Sequence, residues 1–230
     1  MKQIHMHPPT QLIVFDIDGT LSDSVSIHQQ AFIAALKALG IEEMDTNFKT
    51  YKHHTDSYIA KTIYEKAMGL PFDQEVLLKF EAHLYAFMKE RAIDAIKGAK
   101  AVIRYFEQQP DWGIAYATGS LLKPAAYKLA QIGVDYIDAQ LVTANDFYDR
   151  ASIVQTAINQ AKIYYNQNDF ETIVSVGDGL WDLKTAQALG VHFIGIGEKH
   201  KALLLREGAK LCWEDWNAFA IAEIEELIEA

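Results

Sequence analysis

The chain has 230 residues; half of them are hydrophobic and 23% are charged, which is ordinary for a globular protein with a full core. Its formal net charge of -10 argues against general affinity for nucleic acid or anionic membranes. Its single cysteine, Cys212, excludes an internal disulfide, and no apolar run approaches the roughly 20 residues that a membrane span needs. Residues 1–10 lack the apolar segment of a signal peptide, so we expect a cytoplasmic protein.

The first predicted element is a strand over residues 12–15, whose four apolar residues are typical of a strand buried on both faces. Residues 22–95 then show helical spacing only, which predicts helices over 25–39, over 55–68 and from about 73 towards 93. Helices and strands alternate through the rest of the chain. The predicted helices cover 99–109, 121–132, 151–165, 180–189, 201–207 and 216–229, and the predicted strands cover 113–117, 141–142, 172–176, 191–196 and 209–213.

This alternation predicts a mainly parallel sheet covered by helices on both faces. The strand over 12–15 belongs to the same sheet, so the helical stretch is an insert that follows the first strand. We therefore predict an α/β core formed by residues 1–21 and 96–230, with an all-helical cap formed by residues 22–95.

Polar residues follow three of the predicted strands. Asp16 and Asp18 follow the first, Thr118-Gly119-Ser120 follows the strand over 113–117, and Asp178 follows the strand over 172–176, with Asp182 four residues beyond. Each group alone is explained by a turn or a helix cap. The carboxyl ends of parallel strands meet at one edge of the sheet, however, where these acids would crowd together. Oxygen ligands without cysteine or histidine favour Mg²⁺ as the cation that would hold them.

Three segments resemble the signature motifs of the haloacid dehalogenase-like superfamily: Asp16-Ile17-Asp18-Gly19-Thr20, Ala117-Thr118-Gly119-Ser120 and Gly177-Asp178-Gly179-Leu180-Trp181-Asp182. The helical insert also falls where the helical-cap subgroup of that superfamily carries it. The resemblance implies a Rossmann-like core and Mg²⁺-dependent phosphoryl transfer through an aspartyl-phosphate. The second aspartate of the first motif resembles the phosphatase and mutase pattern, whereas dehalogenases differ there.

The resemblance also implies roles for these residues. Asp16 would be the nucleophile, and Asp18 would act as general acid and then as general base, which needs a carboxyl able to keep its proton near neutral pH. Thr118 would donate a hydrogen bond to a phosphoryl oxygen, and Gly119 and Ser120 of the same turn would help to bind the substrate. The Mg²⁺ ligands would be Asp16, the backbone carbonyl of Asp18, Asp178 and, directly or one layer further out, Asp182.

A cation should face the charge of the transferring phosphoryl group. Arg150 occupies the position at which the family usually has a lysine or arginine, although no proline follows it here. Lys128 and Lys123 are the second and third candidates. A different interpretation is that Arg150 only pairs with Asp149 or Asp146 at the surface.

The cap should select the substrate. His53, His54 and Thr55 lie in a polar loop between its first two helices, and cap loops of this subgroup face the phosphoryl site. His28 lies ten residues past Asp18, where related phosphatases and mutases often have a histidine. These four residues are predicted substrate contacts, although a solvated loop and a structural histidine would explain the same pattern.

We therefore expect a Mg²⁺-dependent phosphatase that acts on a small phosphorylated metabolite, as a monomer or a homodimer, with the cap closing to expel water. One alternative is a phosphomutase of the sugar-phosphate type, which would use the same aspartyl-phosphate chemistry. Another is a protein that has kept the fold but lost the activity and serves as a binding partner, which the intact acids argue against.

Overall fold

The computed structural model describes residues 7–229, so residues 1–6 of the polar start and Ala230 lie outside it. In these residues, six strands form one parallel sheet in the order β3-β2-β1-β4-β5-β6. The strands are β1 (Gln11–Phe15), β2 (Trp112–Ala117), β3 (Leu141–Val142), β4 (Thr172–Gly177), β5 (His192–Ile196) and β6 (Leu211–Trp213). The predicted parallel α/β core is confirmed.

The helices flank the sheet and build the insert. They are α1 (Val25–Ala38), α2 (Asp56–Met68), α3 (Gln74–Met88), α4 (Ala99–Gln108), α5 (Leu122–Gln131), α6 (Arg150–Tyr165), α7 (Leu180–Leu189), α8 (Glu198–Arg206) and α9 (Ile221–Glu229). No helix among residues 7–229 combines the length and apolar character needed to cross a bilayer.

Strand β1 lies at the centre of the sheet because its apolar residues 12–15 are buried on both faces. It pairs in parallel with β2 on one side and with β4 on the other. The carboxyl ends of β2, β1 and β4 are therefore neighbours at one edge of the sheet, and the residues that follow these three strands come together there.

The cap consists of α1, α2 and α3, and α1 packs against α3 through the edge-to-face contact of Phe32 with Phe80. The two segments that join the cap to the core run side by side. The amide of Asp23 donates to the carbonyl of Asp94 at 2.9 Å, and the amide of Ile96 donates to the carbonyl of Leu21 at 2.9 Å. The chain thus leaves the core and returns to it at one place.

Two helices end or break earlier than the sequence pattern predicts. Helix α3 ends at Met88 instead of continuing towards 93, because the chain must turn so that Asp94 can reach Asp23. The predicted closing helix over 216–229 divides into a short 3₁₀ turn at Trp216–Ala218 and helix α9. The indole N–H of Trp216 donates to the carbonyl of Thr20 at 2.8 Å, so a tertiary contact fixes this turn.

Candidate active site

Three carboxylates converge at the carboxyl edge of the sheet. Asp16 follows β1, Asp178 follows β4, and Asp182 lies in the first turn of α7; one oxygen from each lies within 4.8 Å of the others. The backbone N–H of Gly179 donates to Oδ2 of Asp182 at 3.0 Å, which fixes that carboxylate toward the strand ends. The sequence prediction that these acids meet at one edge therefore matches the geometry.

Glycines make room for this convergence. Gly19 has a φ of +77°, a conformation that favours glycine, and a Cβ at this position would lie 2.5 Å from Oδ2 of Asp178. At Gly177, a Cβ would lie 2.5 Å from the Cβ of Asp182. A side chain at either position would push one of the carboxylates away from the others.

Burial raises the pKa of all three carboxyl groups, and the charges of neighbouring carboxylates add to each rise. Burial raises the pKa of Asp178 well above its ordinary value, and the charges of Asp182 and Asp16 add to the rise. Burial also raises the pKa of Asp182 to about 7, although the Arg150 guanidinium opposes this, and it raises the pKa of Asp16. Because the three groups offer only oxygen donors and repel one another, they can hold a divalent cation.

Arg150 is the cation that faces the predicted nucleophile. It is the first residue of α6, its Nη1 lies 2.7 Å from Oδ1 of Asp16, and its Nη2 lies 3.6 Å from Oδ1 of Asp182. Asp149 caps α6 by accepting from the amide of Ser152 at 2.8 Å. The Arg150 side chain is only 11% exposed, so it does not form the surface pair with Asp149 or Asp146.

Lys128 faces the other aspartate of the first motif. Its fully buried Nζ donates to Oδ2 of Asp18 at 2.7 Å, and Ser24 donates to Oδ1 of the same carboxylate at 2.5 Å. Burial alone would raise the pKa of Asp18, but the charge of Lys128 and the hydrogen bonds from Lys128 and Ser24 outweigh it and hold this pKa at about 2. The expectation of an Asp18 carboxyl that keeps its proton near neutral pH is thus not met in this arrangement.

The turn after β2 supplies buried polar groups. The Oγ1 of Thr118 accepts from the amide of Ser120 at 3.1 Å, and the Oγ of Ser120 accepts from Lys128 at 3.0 Å. Between them, Gly119 lets the cap approach, because a Cβ there would lie 2.5 Å from the carbonyl oxygen of His54. The cap is therefore seated directly on this turn.

Asp56 and His28 tie the cap to the core. The amide of Asp56 donates to the carbonyl of Gly119 at 2.7 Å, and its Oδ2 accepts from the amide of Leu121 at 3.0 Å. The Nε2 of His28 lies 2.8 Å from Oδ1 of Asp56, and its Nδ1 lies 3.0 Å from Nζ of Lys128. A neutral ring protonated at Nε2 satisfies both contacts. His28 thus joins cap and core and has no ring nitrogen free for a substrate.

The other predicted cap contacts have different surroundings. The hydroxyl of Thr55 donates to the carbonyl of Tyr148 at 2.8 Å and also caps α2, so it holds the cap in place. His53 packs edge-on against Tyr58 and, like His54, lines a cavity beside Arg150. Lys123 pairs with the buried Glu81 of α3 at 3.8 Å, where core and cap meet, and not with the carboxylate group.

A cavity of about 500 Å³ lies beside Arg150. Its lining includes His54, whose ring stacks on the Trp181 indole with ring centres 4.4 Å apart, together with Lys184 of α7 and His200 of α8. Burial lowers the pKa of His54, and the charges of Arg150 and His53 lower it further. Sequence reasoning missed these contributions from α7 and α8. Trp181 lies within the third motif, but no residue pattern marks Lys184 or His200.

The fold and the site define a capped α/β enzyme that carries a carboxylate cluster at the carboxyl edge of its parallel sheet. The chain belongs to the haloacid dehalogenase-like hydrolase family, whose model matches residues 10–190. This finding confirms the resemblance seen in the three motifs. A comparison with curated protein sequences gave no match.

Solved structures share the whole architecture at low sequence identity. A hydrolase from Pseudomonas syringae is 20% identical, with a TM-score of 0.70 over 93% of this chain and 97% of that one. A β-phosphoglucomutase from Clostridium difficile is 18% identical, with a TM-score of 0.70 over 97% and 98% of the two chains. A protein described as a predicted phosphoglycolate phosphatase, from Haemophilus somnus, is 18% identical, with a TM-score of 0.64 over 96% and 99%. These likenesses establish the fold.

Proposed function

We propose that the protein is a Mg²⁺-dependent phosphatase that hydrolyses a small phosphomonoester through an aspartyl-phosphate on Asp16. The observation that carries this proposal is the convergence of Asp16, Asp178 and Asp182 with Arg150 bound to Asp16. A carboxylate nucleophile, two further acids for a metal and a cation for the phosphoryl oxygens are the groups that phosphoryl transfer needs.

In the first half-reaction, a carboxylate oxygen of Asp16 attacks phosphorus, and the bond to the ester oxygen breaks with its electron pair leaving on that oxygen. A proton from Asp18 neutralises the departing oxygen. This step requires Asp18 to gain a proton and to exchange its contact with Lys128 for one with the substrate. Arg150 and the Thr118 hydroxyl stabilise the negative charge on the phosphoryl oxygens.

In the second half-reaction, the ionised Asp18 accepts a proton from water as the water oxygen attacks phosphorus. The bond between phosphorus and Asp16 breaks, and inorganic phosphate is released. In the present arrangement Asp18 is ionised and so can take up a proton, and losing its contact with Lys128 would raise its low pKa and make it a stronger base. Mg²⁺ would be held by Asp16, Asp178, Asp182 and the backbone carbonyl of Asp18, and it would neutralise charge on the carboxylates and the phosphoryl group.

The test is hydrolysis of p-nitrophenyl phosphate by the purified protein, with Mg²⁺ or with EDTA. We expect Mg²⁺-dependent release of phosphate that is abolished in Asp16→Asn and that falls by about a hundredfold or more in Asp18→Asn. Asp111→Asn is the matched control, because Asp111 is exposed and precedes β2 at the opposite edge of the sheet. Equal activity in the wild type and in Asp16→Asn would disprove the proposal.

A phosphomutase is the second candidate, because one structural neighbour is a β-phosphoglucomutase and because a mutase would use the same carboxylates. A mutase would return the phosphoryl group to its product instead of to water. Incubation with hexose phosphates distinguishes the two, since a phosphatase releases inorganic phosphate in proportion to substrate loss whereas a mutase forms an isomer without that release.

We also propose boundaries for the two parts of the chain, with the core formed by residues 1–21 and 96–230 and the cap by 22–95. The backbone pairing of residues 21–23 with residues 94–96 supports these limits. The cytoplasmic location, the small phosphorylated metabolite as substrate and the monomeric or homodimeric state remain predictions.

A further inference from the structure

We infer that the cavity beside Arg150 binds a second anionic group of the substrate, so that the preferred substrates are phosphate esters with a further phosphate or carboxylate group. This inference rests on the proposed function and deepens it. Three lysines that have no part in the proposed phosphoryl transfer line this cavity, namely Lys49, Lys52 and Lys184.

The charge of the cavity lining opposes that of the whole protein. The chain carries 31 acidic side chains against 21 lysines and arginines. The cavity lining instead has four fixed cations, Lys49, Lys52, Arg150 and Lys184, against the single carboxylate of Asp149. That carboxylate is already engaged, because both of its oxygens accept hydrogen bonds from the first turn of α6. The lining is therefore a concentrated positive patch on an acidic protein.

The three lysines have no counter-ion. Among residues 7–229, no carboxylate forms an ion pair with Lys49, Lys52 or Lys184. Unlike other lysines of that range without an ion pair, such as Lys66 and Lys100, these three line one cavity. Lys49 and Lys52 come from the cap loop and Lys184 comes from α7, so the cations reach the cavity from both sides. Like charges brought together without an anion repel one another, and a bound anion removes that repulsion.

Two residues that line the cavity also have buried hydrogen-bond donors without a partner. Three buried side-chain polar atoms in the described part of the chain lack a hydrogen-bond partner, and two of them are the Nε of Arg150 and the Nε1 of Trp181. Both are N–H donors on residues that line the cavity. Buried donors rarely stay unpaired, and these two lie next to Gly119 and Gly179, so a ligand in the cavity would reach them only if the Arg150 and Trp181 side chains moved.

The position of the cavity identifies this ligand as part of the substrate. Arg150 lines the cavity and also binds Asp16, the proposed nucleophile, at 2.7 Å. A group in the cavity is thus separated from the phosphoryl site by one side chain. A molecule with one phosphoryl group at Asp16 and a second anion among the lysines would occupy both places, whereas an ester with a neutral tail would leave the lysines unpaired.

The experiment uses substrates that differ only in the tail. For chain lengths of about two to six carbons, the α,ω-diol monophosphate has a neutral hydroxyl tail, the diol bisphosphate has a second phosphate, and the ω-carboxyalkyl phosphate has a carboxylate. The quantity measured is the selectivity, defined as kcat/KM for the anionic-tailed substrate divided by kcat/KM for the neutral-tailed one. The bisphosphate and carboxylate arms distinguish the two kinds of second anion.

The variants are Lys52→Gln, Lys184→Gln and the double variant. Lys66→Gln in the cap and Lys100→Gln in the core are matched controls, because both lysines are exposed and lie outside the cavity lining. We expect wild-type selectivity well above one for at least one chain length and one tail. In the double variant this selectivity should fall by about five- to tenfold, and in the two controls it should not change.

Binding separates this inference from the proposed function. Calorimetry with Asp16→Asn compares the affinities of the bisphosphate and the hydroxyl-tailed monophosphate without turnover. If this preference depends on Lys52 and Lys184 although p-nitrophenyl phosphate is not hydrolysed, the second-anion site stands and the phosphatase proposal fails. The opposite result is that p-nitrophenyl phosphate is hydrolysed, but the double variant reduces neither selectivity nor binding preference for any anionic tail. That result would overturn the second-anion site and leave the phosphatase proposal standing.

Discussion

Replacing Asp182 by asparagine measures how much the repulsion and burial of the three clustered carboxylates, those of Asp16, Asp178 and Asp182, destabilise the folded protein. Asp182 is buried, and burial and the charge of Asp16 hold its pKa at about 7 despite the opposing guanidinium of Arg150. Asparagine keeps the shape of the side chain and an oxygen that can accept from the amide of Gly179. The substitution therefore removes one negative charge with little change in packing.

The pKa sets the magnitude of the effect. A carboxyl with a pKa of about 7 in the folded state and 3.8 in the unfolded state binds more protons when folded, so stability falls as pH rises between these two values. At about pH 8, the resulting loss in the free energy of unfolding is about 4 kcal/mol. This value already includes the attraction of Arg150, which lowers the pKa. What offsets part of the gain is that, with the asparagine oxygen accepting from Gly179, the asparagine NH2 group would face the Arg150 guanidinium, donor against donor. We expect Asp182→Asn to be more stable than the wild type by about 2 kcal/mol at this pH without divalent cations.

The assay is urea unfolding followed by circular dichroism, in EDTA, from about pH 5 to about pH 8. The wild type should lose stability across this range, and Asp182→Asn should lose less. Mg²⁺ should restore the wild type at the upper end more than it restores the variant, which lacks one proposed ligand. Asp111→Asn serves as the control for the loss of one exposed carboxylate. A flat wild-type profile in EDTA, or a variant less stable than the wild type at pH 8, would refute the electrostatic reasoning.

Three further substitutions test other contacts. Gly119→Ala places a methyl group 2.5 Å from the carbonyl oxygen of His54 in the cap, so it should loosen the contact between cap and core. We expect kcat/KM for p-nitrophenyl phosphate to fall by about tenfold and limited proteolysis of the cap to become faster. Lys128→Met leaves the carboxylate of Asp18 without its buried counter-ion, so the free energy of unfolding should drop by about 3 kcal/mol near pH 7. Near pH 4 the drop should be smaller, because the Asp18 carboxyl of the variant can take up a proton there. Gly19→Ala forces alanine into a positive φ at a cost of about 1–2 kcal/mol and displaces Asp178; its apparent Mg²⁺ affinity should weaken in a titration of activity. Stability and Mg²⁺ affinity that match the wild type would contradict this last expectation.

The parallel core and the convergence of the acids were predictable because their signals are local. Residues 12–15 form an uninterrupted apolar run, which is what a strand buried on both faces requires. The motif that begins at Asp16 and the motif that ends at Asp182 each follow a predicted strand. Parallel pairing brings the carboxyl ends of strands to one edge of the sheet, whatever the lengths of the loops between them are. The end of α3 and the break before α9 were not predictable, because each depends on a contact with a residue far away in the sequence.

Which acidic group each candidate cation contacts could also be established only from the tertiary structure. Arg150 was the first candidate for the phosphoryl site because of its position in the chain, ahead of Lys128 and Lys123, but position in the chain does not determine which carboxylate each side chain faces. The folded chain pairs them with Asp16, Asp18 and Glu81 respectively, over separations of 134, 110 and 42 residues. His28 and Thr55 are predicted substrate contacts, and only the folded chain shows that both also join cap to core, through partners in α2, α5 and the loop before α6.

The amino-acid sequence by itself determined the class of fold, the place of the helical insert and the acids that meet at the sheet edge. These features follow from the periodicity of apolar residues and from short motifs whose position after a predicted strand can be seen in the sequence itself. Only the tertiary structure decided which cation faces which carboxylate, how the cap is seated on the turn at Gly119, and that unpaired lysines from the cap loop and α7 line one cavity. Charges interact through space, and their distances are set by the packing of elements that the sequence order keeps far apart.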